Sequence, residues 1–241
     1  MVDFVNLLVL FVGGFLAAAI SGAAGFGGAL LLLPLLTKTI GTTMAIPVLT
    51  IAQLIGNLSR ALFGFKQIKW KPVLLFILGA VPMSVLGAYS FVEVPKEIVT
   101  RLIGFAIILF VILKYYDVLK FKTTSGTIVL VGGITGFISG LVGSAGPIGA
   151  ALFLSLNLPP ISYIASEAMT AIAMHVTKTL IYQRYLGIGL QTLLTGLFIG
   201  ISMILGTWIG MRFIRKVPKE KFNKFVGLLL CIIGLQMVLF S

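Results

Sequence analysis

Apolar residues form long runs along nearly the whole chain, with short polar stretches between them. Several runs approach the roughly 20 residues that a helix needs to cross a hydrocarbon core of ~30 Å. The pattern therefore predicts an all-α polytopic integral membrane protein, with residues 1–241 forming one transmembrane domain. The apolar runs are Phe4–Ile20, Ala29–Leu36, Met44–Phe65, Val73–Val92, Ile98–Leu113, Ile128–Val142, Ile148–Leu156, Ile161–Tyr182, Leu190–Met211 and Phe222–Phe240.

The composition supports a location in the lipid bilayer of a cell membrane. Hydrophobic residues make up 59% of the chain and charged residues only 10%, whereas about a quarter of a soluble domain is usually charged. The net charge of +12 would also suit a nucleic-acid-binding protein. In a membrane protein, however, excess Lys and Arg normally mark the cytoplasmic loops, so no nucleic-acid partner is predicted.

The sequence contains no set of residues typical of an enzyme site. One histidine, His175, and one cysteine, Cys231, cannot by themselves supply the ligands of a zinc site. No Ser/His/Asp set, phosphate-binding lysine loop or pair of catalytic carboxylates is present. The chain is therefore predicted to be neither an enzyme nor a holder of a metal or cofactor.

Two halves of the chain carry the same motif. The stretch ISGAAGFGG at Ile20–Gly28 recurs 118 residues later as ISGLVGSAG at Ile138–Gly146, and the tetrapeptide VPKE also occurs once in each half. We therefore predict two repeats, residues 1–120 and 121–241, each with about five helical elements.

Loops at equivalent positions of the two halves differ in their basic residues, which suggests opposite orientations. The basic stretches Lys66–Lys71, Lys114–Lys122 and Arg212–Lys224 together hold 12 of the 18 Lys and Arg residues. Placing all three in the cytoplasm requires inverted repeats with an odd number of crossings each, and leaves both termini outside. A parallel arrangement of four plus four helices would place equivalent loops on one side.

The glycine clusters predict breaks in the helices. Glycine permits backbone conformations that other residues avoid, and the apolar segments that follow, Ala29–Leu36 and Ile148–Leu156, are short for a full span. They are expected to be short helices that begin near mid-membrane. Their N-termini would present free N–H groups and partial positive charge to an anion. The candidate binding residues in these loops are Gly25, Gly27, Gly28, Gly143, Ser144 and Gly146.

The alternative interpretation is that small residues only allow helices to pack closely. For the glycines up to Gly22 and Gly140 the packing interpretation is favoured. For the clusters that directly precede the short segments, the binding-loop interpretation is favoured.

A polar face on the third helix of each half supplies further candidates. Asn57 and Arg60 share a helix face with Gln53, and the equivalent positions of the second half are His175 and Lys178. Charged residues inside membrane spans usually face a cavity or a partner. Arg60 and Lys178 are expected about five residues from their helix ends, in opposite leaflets and roughly 15 Å apart. Snorkelling to the headgroups is the alternative role for both.

Two residues are candidates for proton coupling. His175 has a side chain that exchanges protons near neutral pH, although it also suits a hydrogen-bonded packing role. Glu167 is the second candidate, but its position soon after Pro159 and Pro160 favours a simpler role as the acidic partner of a helix N-terminus.

These motifs resemble those of the sulfite exporter TauE/SafE family, also called TSUP. The resemblance lies in ISGAAGFGG followed by ALLLLPLL, in GGITGFISGLVGSAG, and in the basic residue late in the third helix of each half, Arg60 or Lys178. It implies an integral membrane protein that moves small sulfur-containing anions.

The function predicted from the sequence is a secondary transporter for a small anion, of the sulfite, sulfoacetate and thiosulfate class. It would work by alternating access around a pseudo-symmetric site formed by the glycine loops. An anion-selective channel and a non-transporting membrane scaffold are the alternatives. The expected partners are the anionic substrate and the lipid bilayer, and a homodimer stays open.

Overall fold

The computed structural model describes residues 4–90, 123–142, 145–186 and 189–239, and the single positions 101, 105, 108 and 112. Every regular element in these residues is helical, as the apolar runs predict. The α-helices are α1 (Phe4–Ala24), α2 (Gly28–Ile40), α3 (Thr42–Phe63), α4 (Trp70–Tyr89), α5 (Ser125–Val142), α6 (Gly146–Ser155), α7 (Pro160–Leu186), α8 (Leu190–Ile214) and α9 (Lys219–Leu239), with a 3₁₀ turn at Phe65–Gln67. Most of the fifth element predicted for the first repeat lies outside the described residues.

Among the described residues, four helices are long and apolar enough to cross a membrane: α1, the Met44–Phe63 part of α3, α4 and α8. Large apolar side chains project outward from these helices, including Leu16, Leu78 and Ile201, each more than half exposed. Such side chains suit contact with lipid tails, which are as apolar as leucine itself. The all-α membrane fold expected from the sequence is confirmed.

The two segments that follow the glycine clusters are short helices. With 13 residues in α2 and 10 in α6, they extend ~20 and ~15 Å, less than the ~30 Å hydrocarbon core. Gly25 and Gly27 both have positive φ angles, 88° and 93°, a conformation that only glycine adopts without strain. Gly27 is the N-cap of α2, while α6 has Pro147 in its first turn, where proline fits well.

Helix packing relates the two halves through equivalent glycines. A Cβ atom added at any of these glycines would collide with the partner helix, so the contacts are close and of the packing type predicted for Gly22 and Gly140. Helix α1 packs on α8, and its counterpart α5 packs on α4, through matching positions. Between α1 and α8 the contacts are Gly14 with Ile199, Gly22 with Thr207, and Gly210 with Ala19. The equivalent contacts between α5 and α4 are Gly132 with Phe76, Gly140 with Ser84, and Gly87 with Phe137.

The equivalent helices α3 and α7 run in opposite directions where they cross. Arg60 of α3 lies beside Glu167 of α7. Gly64, one turn later along the chain, lies beside Ile161, between one and two turns earlier on α7. Inverted repeats would give antiparallel crossing of equivalent helices, and the inverted arrangement itself stays a prediction.

The ends of α3 and α8 meet at one end of the bundle. Nη2 of Arg215 donates a hydrogen bond of 2.9 Å to the backbone carbonyl of Phe63. The basic connection after α3 and the basic connection after α8 therefore lie on the same side, as the inverted repeat requires. That this side faces the cytoplasm stays a prediction.

The buried apolar residues form two separate clusters. One is built mainly from α1, α2, α3 and the middle of α8, with Leu32, Leu49 and Ile199 among its members. The larger one is built mainly from α4, α6, α7 and α9, with Phe76 and Phe153 among its members. The polar residues of α3 and α7 face each other between the two clusters.

Candidate functional site

A small cavity of about 40 Å³ lies where the two glycine loops approach α3 and α7. The loops contribute Phe26–Ala29 and Ala145–Gly146 to its walls. Helix α2 begins at Gly28, so its first N–H groups, which have no partner within the helix, lie at the cavity. The other lining residues are Gln53, Asn57, Arg60, Ser139, Glu167, Ala171, Met174 and His175.

The side chain of Arg60 turns inward and is 4% exposed. Its Nη1 donates hydrogen bonds to the backbone carbonyls of Ser21, at 3.3 Å, and Gly25, and its Nη2 donates to Oδ1 of Asn57. The two carbonyls lie at the C-terminal end of α1, where carbonyl groups carry partial negative charge, and that of Ser21 also accepts the N–H of Gly25 at 2.7 Å. The snorkelling alternative is wrong for Arg60, because its guanidinium ties α3 to the first glycine loop.

Glu167 is a buried partner of Arg60. Its Oε2 lies 3.5 Å from Nη1 of Arg60, and the carboxylate side chain is 4% exposed. The helix N-terminus role favoured from the sequence is wrong, because α7 begins at Pro160 and has no acidic residue in its first turn. The helix dipole acts within about one turn, whereas Glu167 lies about two turns in and faces a guanidinium.

Lys178 is fully buried, and its Nζ donates a 3.0 Å hydrogen bond to Oγ of Ser139. Ser139 and Ser21 occupy the same position in the two copies of the ISG motif. Each basic residue thus contacts the serine of its own repeat, Lys178 through the hydroxyl and Arg60 through the backbone carbonyl. Snorkelling is therefore wrong for Lys178 as well.

Arg60 and Lys178 were expected at equal distances from the ends of their helices, and the structure places them at different distances. Arg60 lies three residues before the end of α3, and Lys178 lies eight residues before the end of α7. The sequence placed both about five residues from a helix end, because it could not locate the end of either helix.

The predicted binding residues fall into three groups. One group lines the cavity: Gly27, Gly28, Gly146, Asn57, Arg60 and His175. Gly25 contacts the guanidinium of Arg60 through its carbonyl, and Lys178 contacts the cavity wall through Ser139. Gly143 and Ser144 lie outside the described residues.

Sequence reasoning missed Ser139 as a wall residue. A serine follows the isoleucine in both copies of the motif, and this repetition was the signal that could have found it. Phe26 and Met174 are further wall residues with no such signal, since apolar residues are common everywhere in the chain.

Several polar atoms at the cavity have no hydrogen-bond partner among the described residues. They are Nε2 of Gln53, Nε of Arg60, Nδ1 of His175 and Oε2 of Glu167. A buried polar group without a partner costs about 1–3 kcal/mol, so such groups in a native protein usually serve a ligand or a water molecule. Together with the α2 N-terminus, the arrangement supplies donors and positive charge suited to a small anion.

The comparison with known families adds the decisive observation. The family model "Sulfite exporter TauE/SafE" matches residues 10–237, which include both glycine motifs, helices α2 to α8 and most of α1 and α9. The chain belongs to the TauE/SafE family. Neither the curated proteins nor the solved structures contain a significant match to this chain.

TauE/SafE proteins are membrane transporters of sulfur-related anions and not enzymes. Membership therefore confirms the resemblance found in the glycine motifs and the non-enzymatic role expected from the sequence. This TauE/SafE chain is accordingly a membrane transporter, with a small anion and the membrane lipid as partners.

Proposed function

We propose that this chain is a secondary transporter that moves a small sulfur-containing oxyanion or organosulfonate by alternating access around the Arg60 cavity. The observation that carries the proposal is the position of Arg60, a buried cation at the cavity where the N-terminus of α2 also points. A guanidinium offers five N–H donors in a fork that matches oxyanions.

The size of the cavity favours an anion at the small end of the class. A volume of about 40 Å³ holds roughly three water molecules, at ~10–15 Å³ each. Sulfite, with four heavy atoms, is close to this size. Sulfoacetate and thiosulfate are larger, so binding them would require the two apolar clusters to move apart.

The chain's packing provides a means for such movement. The cavity lies between two separate apolar clusters, and the residues that face each other across it, Arg60 and Glu167, belong to different repeats. In transporters with inverted repeats, one bundle rocks against another around a central site. We propose that the cluster of α1, α2 and α3 moves against the cluster of α4, α6 and α7.

Glu167 is proposed to couple the anion to a proton. An anion that binds Arg60 takes a place next to the Glu167 carboxylate, and the like charges repel in this buried setting. Protonation of Glu167 would remove the repulsion and leave Arg60 to the anion. His175, which lines the same cavity, is the second proposed proton carrier.

The test is counterflow in proteoliposomes. Vesicles loaded with unlabelled sulfite should accumulate labelled sulfite from outside above its equilibrium level, because a carrier exchanges one anion for another. Sulfoacetate and thiosulfate are tested as competitors. Equilibration without accumulation would indicate an anion channel, and no anion-dependent flux would indicate a scaffold.

A further inference from the structure

A second and larger cavity lies at the end of α8, where the end of α3 approaches it. Its volume is about 310 Å³, and its walls are formed by Phe63, Trp208, Met211, Arg212 and Arg215. None of these residues lines the Arg60 cavity. The transport proposal therefore gives this second cavity no role.

The two arginines of this cavity have N–H groups to spare. Nη2 of Arg215 donates to the carbonyl of Phe63, which uses one of its five donors. The guanidinium of Arg212 lies 5.2 Å above the ring of Trp208, a cation–π contact that leaves its N–H groups directed elsewhere. No described residue accepts a hydrogen bond from Arg212. Two adjacent guanidinium groups with free donors suit a phosphate.

The charge around the cavity has one sign. The stretch from Arg212 to Lys224 holds six basic residues and one acidic residue, Glu220. Arg212 and Arg215 are both exposed, as are Lys216 and Lys221. A ligand here would therefore be anionic, and it would approach along the surface of the bundle.

An apolar stripe leads from the lipid-facing side of α8 to the arginines. Ile201, Leu205 and Trp208 are 56, 51 and 49% exposed, and their i, i+4, i+7 spacing places them on one helix face. Arg212 continues the same face one turn further. A hydrocarbon stripe that ends in a tryptophan and two arginines matches the order of acyl chain, interface and headgroup in a phospholipid.

We propose that this cavity binds the headgroup phosphate of an anionic phospholipid, with an acyl chain lying along Ile201, Leu205 and Trp208. Arg212 and Arg215 donate hydrogen bonds to the phosphate oxygens. Basic pockets between helices at the cytoplasmic side are general sites for anionic headgroups. This site belongs to the same end of the bundle as the basic connections after α3 and α8, where anionic lipids of that leaflet are within reach.

The test is native mass spectrometry of the detergent-purified full chain, titrated with phosphatidylglycerol or with phosphatidylcholine of the same acyl chains. We expect one phosphatidylglycerol to bind at least tenfold more tightly than phosphatidylcholine. Arg212→Gln should remove that preference. Lys216→Gln is the matched control, because it removes the same charge from the same end of the bundle at a residue that does not line the cavity. The affinity of this variant for phosphatidylglycerol should stay within threefold of wild type.

Arg215→Gln is a second variant, interpreted together with the helical content of the protein because Arg215 also holds the end of α3. Equal losses in Arg212→Gln and Lys216→Gln would overturn the site, since surface charge alone would then explain binding. Equal affinity for the two lipids would overturn the headgroup assignment. If millimolar inorganic phosphate competes for the site as effectively as the lipid does, the site takes free phosphate instead. Counterflow tests transport separately, so either proposal can fail alone.

Discussion

Nη1 of Arg60 lies 3.5 Å from Oε2 of Glu167, and the two residues belong to different repeats. The position in the first repeat that corresponds to Glu167 is Leu49, which is buried and apolar. Lys178, the counterpart of Arg60, donates a hydrogen bond to Oγ of Ser139. The two halves of the sequence therefore differ in charge at this pair of equivalent positions.

Replacing Arg60 with Gln is expected to raise the apparent KM for sulfite at least tenfold from either membrane face. A charge-assisted hydrogen bond contributes about 1.5–3 kcal/mol, and 1.36 kcal/mol corresponds to a factor of ten. Effects from both faces are expected because Arg60 lines the central cavity. Counterflow with sulfite inside or outside measures this, with exposed Lys66→Gln as the control for charge. Unchanged affinity from both faces would remove Arg60 from the site.

Glu167→Gln is expected to tighten anion binding and to abolish the response of transport to an imposed pH gradient. The amide keeps the shape of the side chain but carries no charge, so it neither repels the anion nor exchanges a proton. The measurement is sulfite uptake at several pH gradients, with Glu220→Gln near the start of α9 as the control. If the Glu167→Gln protein still responds to the gradient, another group carries the proton, and His175→Gln becomes the next variant.

Gly27→Leu is expected to abolish transport while the protein still inserts and purifies. Gly27 has φ 93° and lines the cavity, so a side chain there strains the loop, and its Cβ would lie 3.4 Å from Cδ1 of Ile233. Gly146→Leu tests the second loop in the same way, where the nearest side chain, Phe26, leaves room for a Cβ atom at 3.8 Å.

Gly189→Leu is the matched control for both glycine variants, because no described residue beyond its chain neighbours lies within 4 Å of the added Cβ and its φ of −70° is ordinary. Its transport should stay near the wild-type rate. Wild-type transport in both Gly27→Leu and Gly146→Leu would favour the packing interpretation of these loops.

Cysteines introduced at Lys69 and Lys219 should both be labelled from the cytoplasm alone. Inverted repeats place these non-equivalent connections on the same side, and the Arg215–Phe63 hydrogen bond brings the adjoining helix ends together. The measurement uses a membrane-impermeant maleimide on inside-out and right-side-out vesicles in a Cys231→Ser background. Arg184→Cys should be labelled from the opposite side. Labelling of the Lys69 and Lys219 positions from different sides would exclude the inverted arrangement.

Local sequence patterns were enough to predict the helical membrane class and the break before α2. These features depend on neighbouring residues: a helix crosses lipid because its own side chains are apolar, and the chain breaks at Gly25 and Gly27 because their backbone permits positive φ. The family follows from the same motifs. Segments of a repeat can be aligned without knowing where either copy lies in space.

The direction in which each charged side chain turns was decided only by the tertiary structure. The sequence placed Arg60 and Lys178 near helix ends, from where either could have reached the headgroups, and it assigned Glu167 to a helix N-terminus. Burial of all three depends on which helices surround them, and that depends on the packing of α3 against α7 and of each against the glycine loops. Arg60 turns inward because carbonyls at the end of α1 and the carboxylate of Glu167 lie there, and these groups are distant from it in sequence.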